Sequence, residues 1–176
     1  MKRLSCLVLA CLLVPAAAAR AQAAADPVST ELRRVLDSFA TNLVATAEEF
    51  PADKYTYHPT PAQMTVGATM EHIAQVNNFA CAKVAGTPGP TMSRPQETEK
   101  DALVANLKAS MDYCRQAFAG LTDDKLADAV TLFGTRNTTR FAAAIEVTND
   151  LIDHYAALAV YLRLNDLLPP TAQRGR

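Results

Sequence analysis

The sequence predicts an all-α protein with four main helices, and three observations carry that prediction. Apolar residues recur at threes and fours over four separate stretches, the period of an amphipathic helix. Proline and glycine punctuate the gaps, at Pro51, Pro59 and Pro61, from Gly86 to Pro95, at Gly120, and at Pro169-Pro170. Composition fits one core: the 176 residues are 49% hydrophobic and 20% charged, too apolar for a disordered chain. The length leaves no room for two sizeable domains.

The first helix is predicted over Val28 to Phe50, with Val28, Leu32, Val35, Leu36, Phe39, Leu43 and Phe50 inward. Ser29 or Thr30 is placed to cap its start, and Pro51 ends it. Residues 52–61 form a loop. Thr65 caps a second helix reaching Ala85, with Met70, Ile73, Val76, Phe79 and Ala80 inward and Gly86 as its stop. The Pro-rich stretch Thr87 to Pro95 is long enough to cross the end of a bundle. A third helix is expected from about Gln96 to Ala119 through Leu103, Leu107, Met111, Cys114 and Phe118. Thr122-Asp123-Asp124 reads as the cap of a short turn, and residues 130–138 are β-branched and turn-rich, hence extended or loop. The last helix runs from Thr138 or Thr139 to about Asn165. Its seam is Phe141, Ile145, Thr148, Ile152, Tyr155, Ala159 and Leu162, the spacing with which a helix faces two neighbours in a bundle. The domain is taken as 24–170, with a frayed tail over 171–176.

The N-terminus reads as an address. Lys2 and Arg3 precede an apolar run from Leu4 to Val14, then Pro15 and small residues up to Ala21-Gln22-Ala23. That is the layout of a cleaved secretory signal over residues 1–23, so the expected location is periplasmic or secreted. The run is too short for a bilayer, which takes about 20 residues, and no other stretch is long and apolar enough to span one. A less favoured reading makes Val8-Leu9-Ala10-Cys11 a lipobox with Cys11 lipidated. Removing Lys2, Arg3 and Arg20 lowers the formal charge from −1 to about −4, so no basic field points to nucleic acid.

Two cysteines remain after such cleavage, Cys81 and Cys114. In an oxidising compartment they pair as a disulfide; otherwise they are buried thiols packing as small hydrophobes. Neither has a neighbouring histidine or a Cys-x-x-Cys partner, which argues against catalytic use.

Three histidines occur. His58 falls in the Pro-rich loop, whereas His72 and His154 sit at the borders of buried helical faces. Asp150 precedes His154 by one turn, so the two side chains project the same way. Two imidazoles and a carboxylate at the edge of a bundle suit Zn²⁺, Ni²⁺, Fe²⁺ or Mn²⁺. The plainer reading is two half-buried, hydrogen-bonded histidines. Glu71, Glu146 and Asp153 read as a solvated face, with Glu71 or Glu146 as the candidate base; Tyr161 and Arg163 line the same cleft or pack along it. There is no Gly-rich phosphate loop and no nucleophile elbow.

The stretch DLIDHYAALAVYLRLNDLLPP from Asp150 to Pro170 resembles the last helix of the DinB-like superfamily. That helix carries a His-x-x-x-His-x-Gly-Gln run, a Tyr-Leu-Arg stretch and a closing proline. TVGATMEHIAQVNNFAC, from Thr65 to Cys81, resembles the family's second helix, and Tyr57 to Pro61 its usual approach. The resemblance covers essentially the whole chain beyond residue 23. It implies an up-down-down-up four-helix bundle, often dimeric, with a divalent metal held by three histidines. His72 then takes the second-helix position and His154 the second position of the last helix. Asp150 stands where the family has a histidine, and Ala156-Ala157 where it has Gly-Gln. The resemblance thus implies a metal-binding bundle of unassigned hydrolase- or transferase-type chemistry, or a non-catalytic ligand- or partner-binding bundle with a degenerate site. DNA repair, suggested by the family's name, does not suit an acidic, exported chain.

Overall fold

A computed structural model describes residues 26–173. The signal peptide expected over 1–23 and the lipid attachment at Cys11 lie outside the described residues.

Helix α1 spans Pro27–Glu49, with proline in its first turn, where a missing N–H costs nothing. Neither Ser29 nor Thr30 caps it. The orphan N–H groups of Val28 and Ser29 donate instead to the Asp123 carboxylate, at 3.1 and 2.7 Å, and the Ser29 hydroxyl donates to it at 2.6 Å. An acid beside a helix N-terminus also meets the positive end of the dipole, which explains why a distant carboxylate displaces the local hydroxyl. At the other end Lys100 Nζ donates to the carbonyls of Glu48 and Phe50.

Helix α2 spans Val66–Ala85 between the signals the sequence shows: Thr65 Oγ1 accepts from Ala68 N at 3.0 Å, and Gly86 closes it at φ 74°. Helix α3, Lys100–Ala119, starts four residues later than its apolar pattern suggests. Glu99 reaches back to accept from Gln96 N at 2.6 Å, and this turn takes the place of a first helical turn. A turn at Asp123–Lys125 leads to a two-stranded antiparallel hairpin, β1 Ala129–Leu132 and β2 Arg136–Thr139, with Leu132 facing Arg136. The fold is therefore helical with one small hairpin, formed where the sequence shows only β-branched, turn-rich residues. In the three-residue connection Phe133 and Gly134 both take positive φ, 48° and 76°, which is freely open to glycine but uncommon for phenylalanine. Helix α4 spans Arg140–Leu164, capped by Thr139, and a last turn α5 spans Pro170–Gln173. The hydroxyls of Thr171 and Tyr155 meet at 2.7 Å, so the chain just past Pro170 docks on α4 rather than fraying.

Side-chain pairs give the directions. Arg33 reaches the Leu121 carbonyl while Lys100 reaches Phe50, so α1 and α3 are antiparallel. Asn77 meets Ser110, and Cys81 meets Cys114, so α2 and α3 are parallel. Arg140 reaches the Val84 carbonyl and Tyr161 that of Met64, so α2 and α4 are antiparallel. The order is up-down-down-up. Because α2 and α3 run the same way, the segment 86–99 does not cross the bundle end. It returns along the α2–α3 side, with Asn78 Nδ2 donating to Pro90 O and the Ser93 and Asn106 side chains bonded.

The core is one cluster drawn from all four helices, with Leu36, Leu43, Met70, Ile73, Leu107, Met111, Leu151 and Leu158 among its members. Cys81 and Cys114 lie inside it at disulfide distance, their Cα atoms 5.3 Å apart. On α4 Thr148, Tyr155, Ala159 and Leu162 of the expected seam are buried, but the rest of the inner face differs from it. Phe141 and Ile152 are 41% and 39% exposed, while Ala143, Ala144, Val147, Leu151, His154 and Leu158 face inward. The inner face thus mixes small residues near the start of α4 with Leu151, Leu158, Tyr161 and Leu162 further on, and Phe141 and Ile152 lie outside it.

Candidate metal centre

Two antiparallel helices build the cluster. The Thr65 cap sets the start of α2, and His72 follows two turns later. Asp150 and His154 lie one turn apart on α4, opposite it. His154 Nε2 is 3.3 Å and His72 Nε2 3.6 Å from the same Asp150 oxygen, Oδ1. The imidazoles meet edge to face with centroids 4.9 Å apart. One donor atom from each residue falls within 4.8 Å of the other two. The three residues that sequence spacing singles out are thus brought together.

Burial is graded. The side chains of His154 and Asp150 are 11% and 18% exposed, that of His72 42%. The cluster therefore has one buried member in His154, a partly covered one in Asp150, and His72, which opens it to solvent. Asp150 Oδ2 is buried with no hydrogen-bond partner among the described residues. A carboxylate oxygen left so costs about 1–3 kcal/mol, more when charged. Both Asp150–histidine distances exceed the usual N–H···O range of roughly 2.7–3.2 Å. Donors bound to one ion at about 2.0–2.2 Å lie roughly 3.0–3.5 Å from one another, close to the 3.3 and 3.6 Å found here, so the cluster could hold a cation. Nitrogen and oxygen donors in this mix suit a first-row divalent ion.

The other residues of interest fall around the cluster. Glu146 is tied to Arg136 of the hairpin at 2.8 Å, and Glu71 accepts from Gln75 at 2.7 Å. Neither is an unengaged base. Asp153 and Arg163 are exposed, and Arg163 donates to the Ala159 carbonyl of its own helix. Tyr161 is buried; its hydroxyl donates to Met64 O at 3.2 Å and its ring meets Tyr57 edge-on. It braces the segment leading into α2, and burial raises its phenol pKa. His58 is exposed, held at 2.7 Å to the Thr60 carbonyl, and stands outside the cluster. Arg136, which pairs with Glu146 one turn before Asp150, is the residue that sequence reasoning passes over. Its place follows from hairpin folding, for which helix periodicity holds no signal.

The fold and the cluster together define an up-down-down-up helical bundle with a His-Asp-His group between its second and fourth helices. Residues 35–158 match the family model of the DinB superfamily. The chain belongs to that superfamily. It is similar in structure to a DinB-like protein from Bacillus subtilis, with TM-score 0.63 and 20% identity, covering 77% of this chain and 92% of that one. A conserved protein from Enterococcus faecalis is also similar, with TM-score 0.59, 17% identity and coverage of 77% and 95%. At these identities the likeness speaks for the fold. No curated protein sequence matches the chain.

Proposed function

We propose that this chain is an exported member of the DinB superfamily that binds a divalent metal through His72, Asp150 and His154, and that it carries out hydrolase- or transferase-type chemistry. The observation that carries this reading is the convergence of three donor groups from two helices, both imidazole nitrogens lying near Asp150 Oδ1 while Oδ2 of the same carboxylate is buried without a partner among the described residues. Zn²⁺, Ni²⁺, Fe²⁺ and Mn²⁺ fit the donor set. A bound ion supplies Lewis acidity toward a substrate oxygen or a water molecule. The protein's own part is orientation: α4 fixes Asp150 and His154 in register, and the more exposed His72 leaves one side open to a ligand. Export is supported by the charged start, the short apolar run and Ala21-Gln22-Ala23. A location outside the cytoplasm favours hydrolysis over transfer to a cytosolic thiol.

Asp150 in a histidine position and Ala156-Ala157 in place of Gly-Gln support a second reading, a non-catalytic bundle whose cluster is an ordinary acid–histidine pair. Metal content of protein purified without chelators or a histidine tag separates the two. The first reading expects about one ion per chain, lost in both His72→Ala and His154→Ala. Metal content unchanged in His154→Ala refutes it. No metal, even after incubation with Zn²⁺, Ni²⁺ or Mn²⁺, leaves the second.

A further inference from the structure

We propose that the β1–β2 hairpin braces the histidine cluster from outside, with Phe133 and Arg136 as positioning residues for the metal. They tie α2 to α4 beside the cluster and so hold His72 at its distance from Asp150 and His154. This role rests on the metal-binding reading above.

The cluster joins two helices, so its geometry depends on how α2 and α4 are spaced at that height. Donors for one ion must be held within about 0.5 Å of their places, and groups outside the ligand set do that holding. The hairpin touches both helices on one side of the cluster. Phe133 stacks on Phe79 of α2, with ring centroids 5.3 Å apart and planes at 25°. Phe79 follows His72 by two turns on the same face, about 10.5 Å along the helix. Arg136 donates to Glu146 of α4 at 2.8 Å, and Glu146 precedes Asp150 by one turn, about 6 Å. Because α2 and α4 are antiparallel, both anchor points lie on the same side of the cluster. The Arg136 guanidinium also lies 5.4 Å from the Phe133 ring centroid, which joins one anchor to the other.

The hairpin is held by these contacts rather than by its own pairing, since two strands of four residues are marginal alone. Leu132, at the end of β1, is fully buried and seats the hairpin on the core. Phe133, next along, is 55% exposed and takes φ 48°. A bulky residue in the left-handed region persists only where its surroundings hold it there. Half exposed, Phe133 adds little to the core. Its ring meets Phe79 on one helix and, through Arg136, Glu146 on the other.

The test is the Zn²⁺ affinity of the purified protein, by competition with a chromophoric chelator, with the Co²⁺ absorption spectrum reporting coordination geometry. The parent should bind about one ion per chain. Phe133→Ala and Arg136→Ala should each weaken Zn²⁺ about tenfold and shift the Co²⁺ bands, although every ligand remains. Phe133→Tyr, which keeps the ring, should bind as the parent does. Arg115→Ala, which cuts the pair to Asp37 between α1 and α3, should also bind as the parent does. The Phe133 and Arg136 side chains are both half exposed, so their variants should melt near the parent. Arg136 gives a test of sign: removing a cation favours a nearby bound cation by charge alone, whereas losing the brace disfavours it. Zn²⁺ affinity unchanged in either alanine variant, or tighter in Arg136→Ala, overturns the brace and leaves the metal reading standing. An equal loss in Arg115→Ala would mean general loosening of the bundle and overturns it too. A parent that takes up neither Zn²⁺ nor Co²⁺ overturns the metal reading and the brace together.

Discussion

Breaking the Cys81–Cys114 link should cost the bundle a large part of its stability. The cysteines are 33 residues apart in sequence, so the closed loop removes about 3.7 kcal/mol of chain entropy from the unfolded state at 25 °C. For a chain of this size each kcal/mol moves the melting temperature about 2–4 °C, so the oxidised and reduced forms should melt roughly 7–15 °C apart. Both residues are fully buried, so reduction needs denaturant, followed by refolding with reductant present. Cys81→Ala/Cys114→Ala should be no more stable than the reduced chain, because it also empties two packed positions. Circular dichroism melts supply the temperatures, and intact mass after alkylation in denaturant supplies the thiol count. Two alkylated thiols in unreduced protein, or coincident melts of the two forms, would refute the reasoning.

The α1 cap gives a pH-dependent test. Hydrogen bonding from the Ser29 side chain, then from the Ser29 and Val28 backbone, holds the Asp123 carboxyl below its ordinary range. A depressed pKa contributes stability that is full above the unfolded value, near pH 3.9, and is lost as pH falls through the folded value. Asp123→Asn should thus melt below the parent at pH 7, with the gap closing toward pH 3; a gap independent of pH refutes the charge contribution. Tyr55 works in the opposite direction. Burial pushes its phenol up, and its hydroxyl donates to Ala47 O at 2.7 Å, so Tyr55→Phe should cost about 1–3 kcal/mol by urea unfolding. That contribution is whole below about pH 10 and fades as pH rises through the higher folded pKa. Gly67→Ala places a Cβ 2.2 Å from the Glu97 carbonyl oxygen and should cost about 1–3 kcal/mol; an unchanged denaturation midpoint would show that segment 86–99 yields freely. His58→Ala should leave metal content and melting temperature as they were, since His58 is exposed and bonded only to Thr60.

What could be read from the sequence was local. Thr65 as a cap, Thr138 or Thr139 as the start of the last helix, Gly86 as a stop and the inward row of α3 each depend on residues within a turn or two, and the structure bears them out. Asp150 and His154 are also a local pair, one turn apart, and His72 joins them because α2 and α4 are antiparallel neighbours in register. What escaped was decided by distant parts of the chain. Asp123 caps a helix that begins about 95 residues earlier, so no window around Ser29 could reveal it. Which residues of α4 face inward is set by the neighbouring helices, which cover Val147, Leu151 and Leu158 and leave Phe141 and Ile152 partly exposed, although a hydrophobicity count favours all five. Arg136 reaches Glu146 only because residues 129–139 fold as a hairpin.

The segment 86–99 also limits how the chain can change in length. It must retrace α2, whose 20 residues measure about 30 Å, with about 14 residues that reach roughly 46 Å at full stretch. The slack is therefore only about five residues. Insertions here can bulge into water at small entropic cost, but deletions beyond that slack would pull α3 out of step with α2. Asn77 would lose Ser110, and Cys81 would lose Cys114. Length variation at this connection should be lopsided, with additions tolerated and losses limited to about five residues.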